Sequence, residues 1–484
     1  MTTFSSSRPV RFAGIALTAL LLAGCAGVPD APATGAPVME AGTQFPSLPG
    51  AGAPSASWWT GFDDPELQRL VESALRASPV LRGADYSVAE AEALLRLALL
   101  GRSPSLSSSA SATVSRPTGG NDNFEAGADF GLAAGWELDA FGRIGGAIEA
   151  ARFDETAARE LRRDLAVTIA SETALAYIDL RSAEARLAVA EANAAAQKES
   201  LDLVRTLFDN GRANELDLNR AETQYRTTLA SLPTFRATIA ASRNRLAALT
   251  GTAATEPTLK TALDGTRVAR IPSLTVPFSA GAPEDMLRRR PDIRLAEARI
   301  GSALALGDVA RANLFPRITL NANLLGLVSD TGVAFNEDSI GLSFGPSISW
   351  AGPDLRRVYA QIDVNDARTL GTVADYEATV LDALAEAETS LSNYLTERER
   401  RAELEAALTA ARRSFELARL RFQEGLDSSL DVLDAQRTLL TAEDQLAVNE
   451  AEIARRAIRA YRSLGGIWTD EELTAFRAGQ EENP

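Results

Sequence analysis

The feature that most limits how this chain can fold is that it is written twice. Arg205, Phe208, Gly211, Leu216, Asp217 and Ala221 recur as Arg419, Phe422, Gly425, Leu430, Asp431 and Ala435, each pair offset by 214 positions. Trp136 and Arg143 recur at that same offset as Trp350 and Arg357, while Pro79, Arg82 and Pro104 recur as Pro291, Arg294 and Pro316 at an offset of 212. The two-residue difference falls between Pro104 and Trp136, where a loop absorbs it. Ordered matches over this span define two copies of one structural unit.

Each copy reads as helix, hairpin, long helix, tight turn and returning helix. In the second copy Ile318, Leu320, Ala322 and Leu324 alternate with Thr319, Asn321 and Asn323, and Ile340, Leu342, Phe344, Ile348 and Trp350 alternate with Gly341, Ser343, Gly345 and Ser349. The first copy repeats this more weakly, with Phe130, Leu132, Ala134, Trp136 and Leu138 on one face and serine-rich alternation from Ser105 to Ser115. Strands of this length, apolar on one side and small or polar on the other, suit a membrane barrel, although a half-buried soluble sheet shows the same period. From Ile144 to Asp209 there is no proline, and glycine occurs only at 145 and 146; Asp354 to Glu424 has Gly371 alone. At 1.5 Å per residue each such helix would reach roughly 100 Å, a length that serves a coiled coil or helical barrel. The returning helices are expected over Leu216–Leu232 and Leu430–Leu464, with Pro233 kinking or interrupting the first.

Composition narrows the function. Of 484 residues none is histidine, which removes the commonest general acid–base and the commonest metal ligand. The formal net charge of −16 speaks against a nucleic-acid partner. No nucleophile–base pairing or phosphate-loop spacing is present, so the expectation is no enzyme, no catalytic residues, no metal and no cofactor. Beyond the N-terminus no apolar run is long enough for a transmembrane helix, which leaves a barrel as the way across a bilayer.

The single cysteine, Cys25, lies after a positive segment (Arg8, Arg11), an apolar run Phe12–Leu22 and the small residues Ala23-Gly24. This resembles the bacterial lipobox, in which the cysteine is lipidated and becomes the first mature residue. Ala26, in place of an aspartate, favours the outer membrane. The expected organisation is a signal peptide over 1–24, a lipidated linker over 25–57, a first unit over 58–250 (hairpin 105–138, tip near 211), a connector over 251–283, a second unit over 284–466 (hairpin 317–350, tip near 425) and a tail over 467–484.

Several motifs, in order, then identify a family. They are Trp58-Trp59 with Phe62, Asp64-Pro65 and Leu67; Trp136-Glu137-Leu138-Asp139 with Phe141-Gly142-Arg143; Arg289-Arg290-Pro291-Asp292-Ile293-Arg294; and Phe315-Pro316-Arg317-Ile318. The strongest is Arg421-Phe422-Gln423-Glu424-Gly425 followed by Leu430-Asp431-Val432-Leu433-Asp434-Ala435-Gln436. Over nearly the whole mature chain the sequence resembles the TolC-like outer-membrane efflux proteins, and within them the lipidated OprM- and NodT-like branch. The resemblance implies a fold of α-helices plus a membrane β-barrel. Four strands per chain would contribute to a trimeric barrel of twelve, continued by a long coiled-coil helical barrel through the periplasm. It implies a homotrimer that meets outer-membrane lipid, a periplasmic adaptor (membrane fusion) protein and an inner-membrane RND-type pump, and exports drugs or other small molecules.

On that reading Gly211 and Gly425 end helices with a left-handed residue and mark tips where an adaptor docks. Asp431 and Asp434 serve as a periplasmic gate, against the plainer reading of Asp431 as helix-capping chemistry after Ser428 or Ser429. Arg220 stands where Asp434 would repeat in the first copy, and Asp427 stands where TolC carries an arginine two positions past the tip glycine. Trp136 and Trp350 close their strands as membrane-interface aromatics or as anchors between barrel and helices. A type I protein-secretion duct shares the same architecture, and a pore-less periplasmic coiled-coil scaffold is the alternative outside the channel class.

Overall fold

A computed structural model describes residues 57–115, 124–253, 270–274, 281–329, 340–424, 426–465 and 469–478. Cys25 and its linker, most of the connector over 251–283, and Gly425 lie outside the described residues. Among the described residues one compact unit is built from Leu95–Arg152 and Ile300–Val373, and the other from residues 57–94, Phe153–Arg299 and residues 374–478.

The two copies give the same element order. In the first, α1 (Pro65–Ala77) and α2 (Pro79–Leu100) lead to strands β1 (Ser105–Ser115) and β2 (Glu125–Leu138), then to α3 (Arg143–Asp209) and α4 (Glu215–Leu249). In the second, α5 (Pro283–Arg289) and α6 (Pro291–Ala312) lead to β3 (Arg317–Ser329) and β4 (Ile340–Ser349), then to α7 (Arg356–Gln423) and α8 (Ser429–Ser463). The long members, α3 and α7, have 67 and 68 residues. The leading helix of each copy is divided where the sequence reading treats it as one. Ser78 and Arg290 take ψ of 124° and 123° immediately before Pro79 and Pro291, because a proline ring pushes the preceding residue out of the helical region. Each proline then suits the first position of the next helix.

Two further expectations change. The helix α4 does not stop at Pro233 but continues to Leu249, so the backbone carbonyl at Leu229 loses its usual donor. Burial of Ser242, Leu246, Ala247 and Leu249 beyond the proline offsets that loss. The segment expected as a tail contains helix α9 (Asp470–Ala478). Its start is fixed by a reciprocal cap, in which Glu472 Oε2 accepts from the Thr469 backbone N–H and Thr469 Oγ1 accepts from that of Glu472. Leu473 is fully buried one turn on, and Arg477 pairs with Asp85 at 2.7 Å.

In the first unit the four strands form one antiparallel sheet in the order β1-β2-β3-β4, so the two hairpins lie side by side through the β2–β3 pairing. The register places residues of one parity on one face. Ser105, Gly135, Asn321 and Gly345 form one cross-strand row, and Leu106, Ala134, Ala322 and Phe344 form the next on the opposite face. Hydroxyls and amides join across the polar side, as where Asn321 Nδ2 donates to Ser347 Oγ at 2.8 Å. On the other side Leu106, Leu342, Phe344 and Ile348 are exposed, the last three on the edge strand β4. No helix among the described residues is long and apolar enough to cross a membrane.

The second unit holds the core. Trp58, Trp59 and Phe62 pack with Leu67, Val71, Ile178, Leu246 and the alanine stripe Ala451, Ala454 and Ala457 of α8, where the small side chains admit close helix approach. Trp58 stacks on Tyr461 at 5.5 Å, and Tyr177 Oη donates to Asp64, whose other bonds accept from the first backbone N–H groups of α1. Burial raises the Tyr177 phenol above its ordinary range, so it remains a donor.

The repeat extends to the ends of the returning helices. Gly251 follows α4 with φ +67° and Gly465 follows α8 with φ +96°. Each sits against the proline junction of its own copy: a Cβ on Gly251 would meet the Ala77 carbonyl oxygen at 2.6 Å, and one on Gly465 would meet Arg290 Cγ at 2.6 Å. Only glycine fits both the left-handed turn and the approach. Gly251→Ala is therefore expected to destabilise the fold by about 2 kcal/mol or more. Gly371→Ala, in the exposed middle of α7 with nothing within 4 Å, is expected to stabilise it by roughly 0.5–1 kcal/mol. Thermal melts of the two variants followed by circular dichroism should move in opposite directions; equal shifts would contradict this account.

Candidate functional site

The tip after α3 closes through its backbone. Gly211 takes φ +72°, its N–H donates to the Phe208 carbonyl at 2.8 Å, and the Arg212 N–H reaches the Leu207 carbonyl at 2.7 Å. These bonds satisfy carbonyls that the helix end leaves open. Asn214 then caps α4 by accepting from the Asp217 N–H at 2.9 Å. The second tip repeats the closure, with the Leu426 N–H on the Arg421 carbonyl at 2.8 Å and Ser428 in the capping position that Asn214 fills in the first.

Asp431 and Asp434 occupy different environments. Asp431 Oδ2 accepts from both the backbone N–H and the hydroxyl of Ser428, at 3.0 and 2.7 Å, so its carboxylate reaches back from the first turn of α8 to close a capping box with Ser428. Asp434 is exposed and pairs with Arg437 at 2.5 Å. Within one protomer neither carboxylate is unpartnered, and the charge of Asp434 is partly balanced by an arginine one turn away. The sequence reading named neither Arg437 nor the ion pair across the tip, although the i,i+3 spacing of Asp434 and Arg437 was available to it.

That cross-tip pair joins Arg421, at the end of α7, to Asp427. Nε and one terminal guanidinium nitrogen reach the two carboxylate oxygens at 2.7 and 2.9 Å, a bidentate contact. The hydrogen bond to Arg421 holds the Asp427 carboxyl below its ordinary value and raises the guanidinium in turn. Beside the tips, α4 and α8 line a groove of about 750 Å³ in which residues related by the repeat face one opening: Leu216 with Leu430, Arg220 with Asp434, and Thr227 with Thr441.

In the other unit, the base of the sheet is tied to the helix ends. Trp136 Nε1 donates to the Arg102 carbonyl at 3.0 Å and Trp350 Nε1 to the Leu314 carbonyl at 2.9 Å. Each acceptor lies two residues past a leading helix, so both indoles perform the same anchoring contact. Glu137 takes Arg143 in a bidentate pair at 2.8 and 2.6 Å, which raises the guanidinium above its ordinary value. Asp139 accepts from the N–H groups of Ile144 and Gly145 and so caps α3. Phe141 and Phe315 stack at 4.8 Å. The motif Trp136–Arg143 is thus a strand-to-helix joint. Among the described residues no group of three His, Cys, Asp or Glu side chains is placed to hold a metal.

The cross-tip pair carries a pH prediction. Because the folded Asp427 value is depressed, its contribution is present above the ordinary carboxylate value of about 4 and is lost as pH falls through the depressed value. A spin label beside the second tip should show constant mobility from neutrality down to about pH 4 and loosen below it. Asp427→Asn should be loose at every pH; an unaltered profile in that variant would refute the role of the pair.

Comparison with known proteins places the chain. The family model for the outer membrane efflux protein matches residues 70–252 and again 282–466, one match in each copy. The solvent efflux pump outer membrane protein SrpC of Pseudomonas putida is 30% identical over 476 residues, covering 95% of this chain and 99% of that one. The cation efflux system protein CusC of Escherichia coli is 30% identical over 459 residues, covering 93% and 97%. The solved structure of the outer-membrane channel OprN superposes with a TM-score of 0.79 at 35% identity, covering 90% of this chain and 100% of that chain. Duplicated strand-pair and helix-hairpin units, closed tips and whole-length similarity together make this chain a member of the outer membrane efflux protein family.

Proposed function

We propose that three copies of this chain form the outer-membrane exit duct of a tripartite efflux pump, a passive channel that carries small molecules outward. The observation that carries the reading is the four-stranded sheet with both edges, β1 and β4, unpaired among the described residues and one face apolar. In lipid an unpaired strand edge costs several kcal/mol per exposed backbone group, so such a sheet persists only when closed. Three copies give twelve strands, within the range of membrane barrels. The relatives SrpC and CusC are named for solvent and cation efflux, a spread that fits a duct whose cargo is chosen by an inner-membrane partner.

Transport of this kind needs no covalent chemistry, consistent with the absence of histidine. Lipid on Cys25 would anchor the N-terminus; several acyl chains at ~0.8 kcal/mol per buried methylene hold firmly. The groove between α4 and α8 offers an adaptor protein apolar ends at Leu216 and Leu430 and a hydroxyl-rich floor at Thr223, Thr227 and Thr441. Contact there would open the tips by binding the open arrangement more tightly than the closed one. Threefold symmetry would bring three copies of Asp431 and of Asp434 to the periplasmic mouth, where like charges favour cations.

The test is conductance of the purified protein in planar bilayers. A trimer with discrete cation-selective openings supports the reading, and a water-soluble monomer without conductance refutes it. Asp431→Asn combined with Asp434→Asn should weaken block by multivalent cations from the tip side by about tenfold, in line with loss of a charged ring. Cys25→Ser should leave conductance intact while abolishing incorporation of labelled palmitate; labelling that persisted would remove the lipidation site.

A further inference from the structure

Charge is almost absent from the strands, and the one place where it occurs away from their ends has a consequence for permeation. Across β2 from Gly127 to Gly135, and across the partners of those residues in β1, β3 and β4, Asp129 is the sole ionisable residue on either face. The other charges of the strands lie at their ends. Glu125 opens β2, and Glu137 and Arg317 stand at the helix end, where Glu137 is held by Arg143 and lies 3.7 Å from Arg317.

The register fixes which way the residue belongs. Asp129 shares its parity with Ser111, Gly131, Gly135, Asn321 and Asn323, a face of hydroxyls, glycines and amides that also carries Leu325 and Leu327 on β3, and not with Phe130, Leu132 and Leu324. Its carboxylate accepts a 2.6 Å hydrogen bond from Ser111 Oγ on the neighbouring strand. A hydroxyl donor positions the carboxylate without neutralising it, unlike the arginines beside Asp434 and Glu137. Asp129 lies eight residues from Glu137 along β2, about 27 Å at the rise of an antiparallel strand. It belongs to the loop end of the barrel.

Resting on the trimeric channel proposed above, we infer that Asp129 is a charge-selecting residue of the permeation path. Three copies around the threefold axis place three carboxylates with no arginine partner among the described residues at one level of the lumen, on a stretch of wall whose other strand residues, from Gly127 to Gly135 and their partners, are neutral. A neutral, narrow wall focuses the field of the few charges it carries. The outer end of the duct therefore favours cationic over anionic cargo independently of the acidic residues at the periplasmic tips, and the two ends are separable by side of addition.

The experiment uses the full lipidated protein inserted from one side into planar bilayers under a KCl gradient, with hexamminecobalt(III) as the probe added to either face. Asp129→Asn keeps the shape and the Ser111 contact while removing the charge. It should lower the potassium-to-chloride permeability ratio by roughly threefold or more and weaken block from the barrel-loop side by a similar factor, with block from the tip side unchanged. Asp129→Glu, which restores the charge, should retain the wild-type ratio. Channels of Asp129→Asn that conduct with an unchanged ratio and unchanged block would overturn this inference while leaving the duct intact. Wild-type protein without conductance would defeat the channel reading itself. A variant that fails to assemble is replaced by Asp129→Ser, which removes the same charge with a smaller side chain and should lower the ratio by the same factor; an unchanged ratio would overturn the inference.

Discussion

Unpaired backbone at the sheet edges is the constraint on which the rest of the structure depends. Four strands carry an apolar face that needs lipid and two edges that lipid cannot solvate, so the sheet is stable only as part of a closed cylinder. The edge strand β4 shows the problem most plainly, since Leu342, Phe344 and Ile348 are exposed in the isolated chain. The joint below the strands has to survive that closure. It is built from contacts with defined directions: two indole N–H bonds to carbonyls past α2 and α6, the Glu137–Arg143 pair, and the Asp139 cap.

Duplication explains why the joints and tips look alike while the chemistry at them differs. Backbone geometry is preserved between copies: the tip closure, the capping position at Asn214 and Ser428, and the left-handed glycines Gly251 and Gly465 all recur. Side-chain charge is not preserved. Arg220 faces the groove where its counterpart is Asp434, and Arg290 binds Asp292, Glu386 and the Ser463 carbonyl at a junction where the first copy has the small Ser78. Backbone-dictated positions tolerate little change, whereas exposed positions on the same scaffold diverge to make the two halves unequal.

The same division decides what the sequence reveals. Strand pairs were legible from alternation because Ile318, Leu320 and Leu324 must share a face, and the long helices because nothing between Ile144 and Asp209 breaks them. The break at Ser78-Pro79 was signalled by a local rule. Continuation through Pro233 was not, because packing at Leu246 and Leu249 outweighs the local penalty. Helix α9 was hidden by its shortness, its apolar content being little more than Leu473 and Phe476. At the site, the sequence placed Asp431 in the first turn after a Ser428 or Ser429 cap, but not its own carboxylate bonds back to Ser428. The ion pairs Arg421–Asp427 and Asp434–Arg437 depend on side-chain geometry that spacing alone suggests only weakly.

The central claim is that the β1 edge of one copy meets the β4 edge of the next and that three such contacts close the circle. Introducing Ser109→Cys and Ser343→Cys together, one on each edge strand, and bridging them with a short bismaleimide tests it directly. Denaturing electrophoresis should show covalent species of one, two and three chains and nothing larger, with either single variant giving monomer alone. A ladder that runs beyond three, or no species above one chain, would contradict the account.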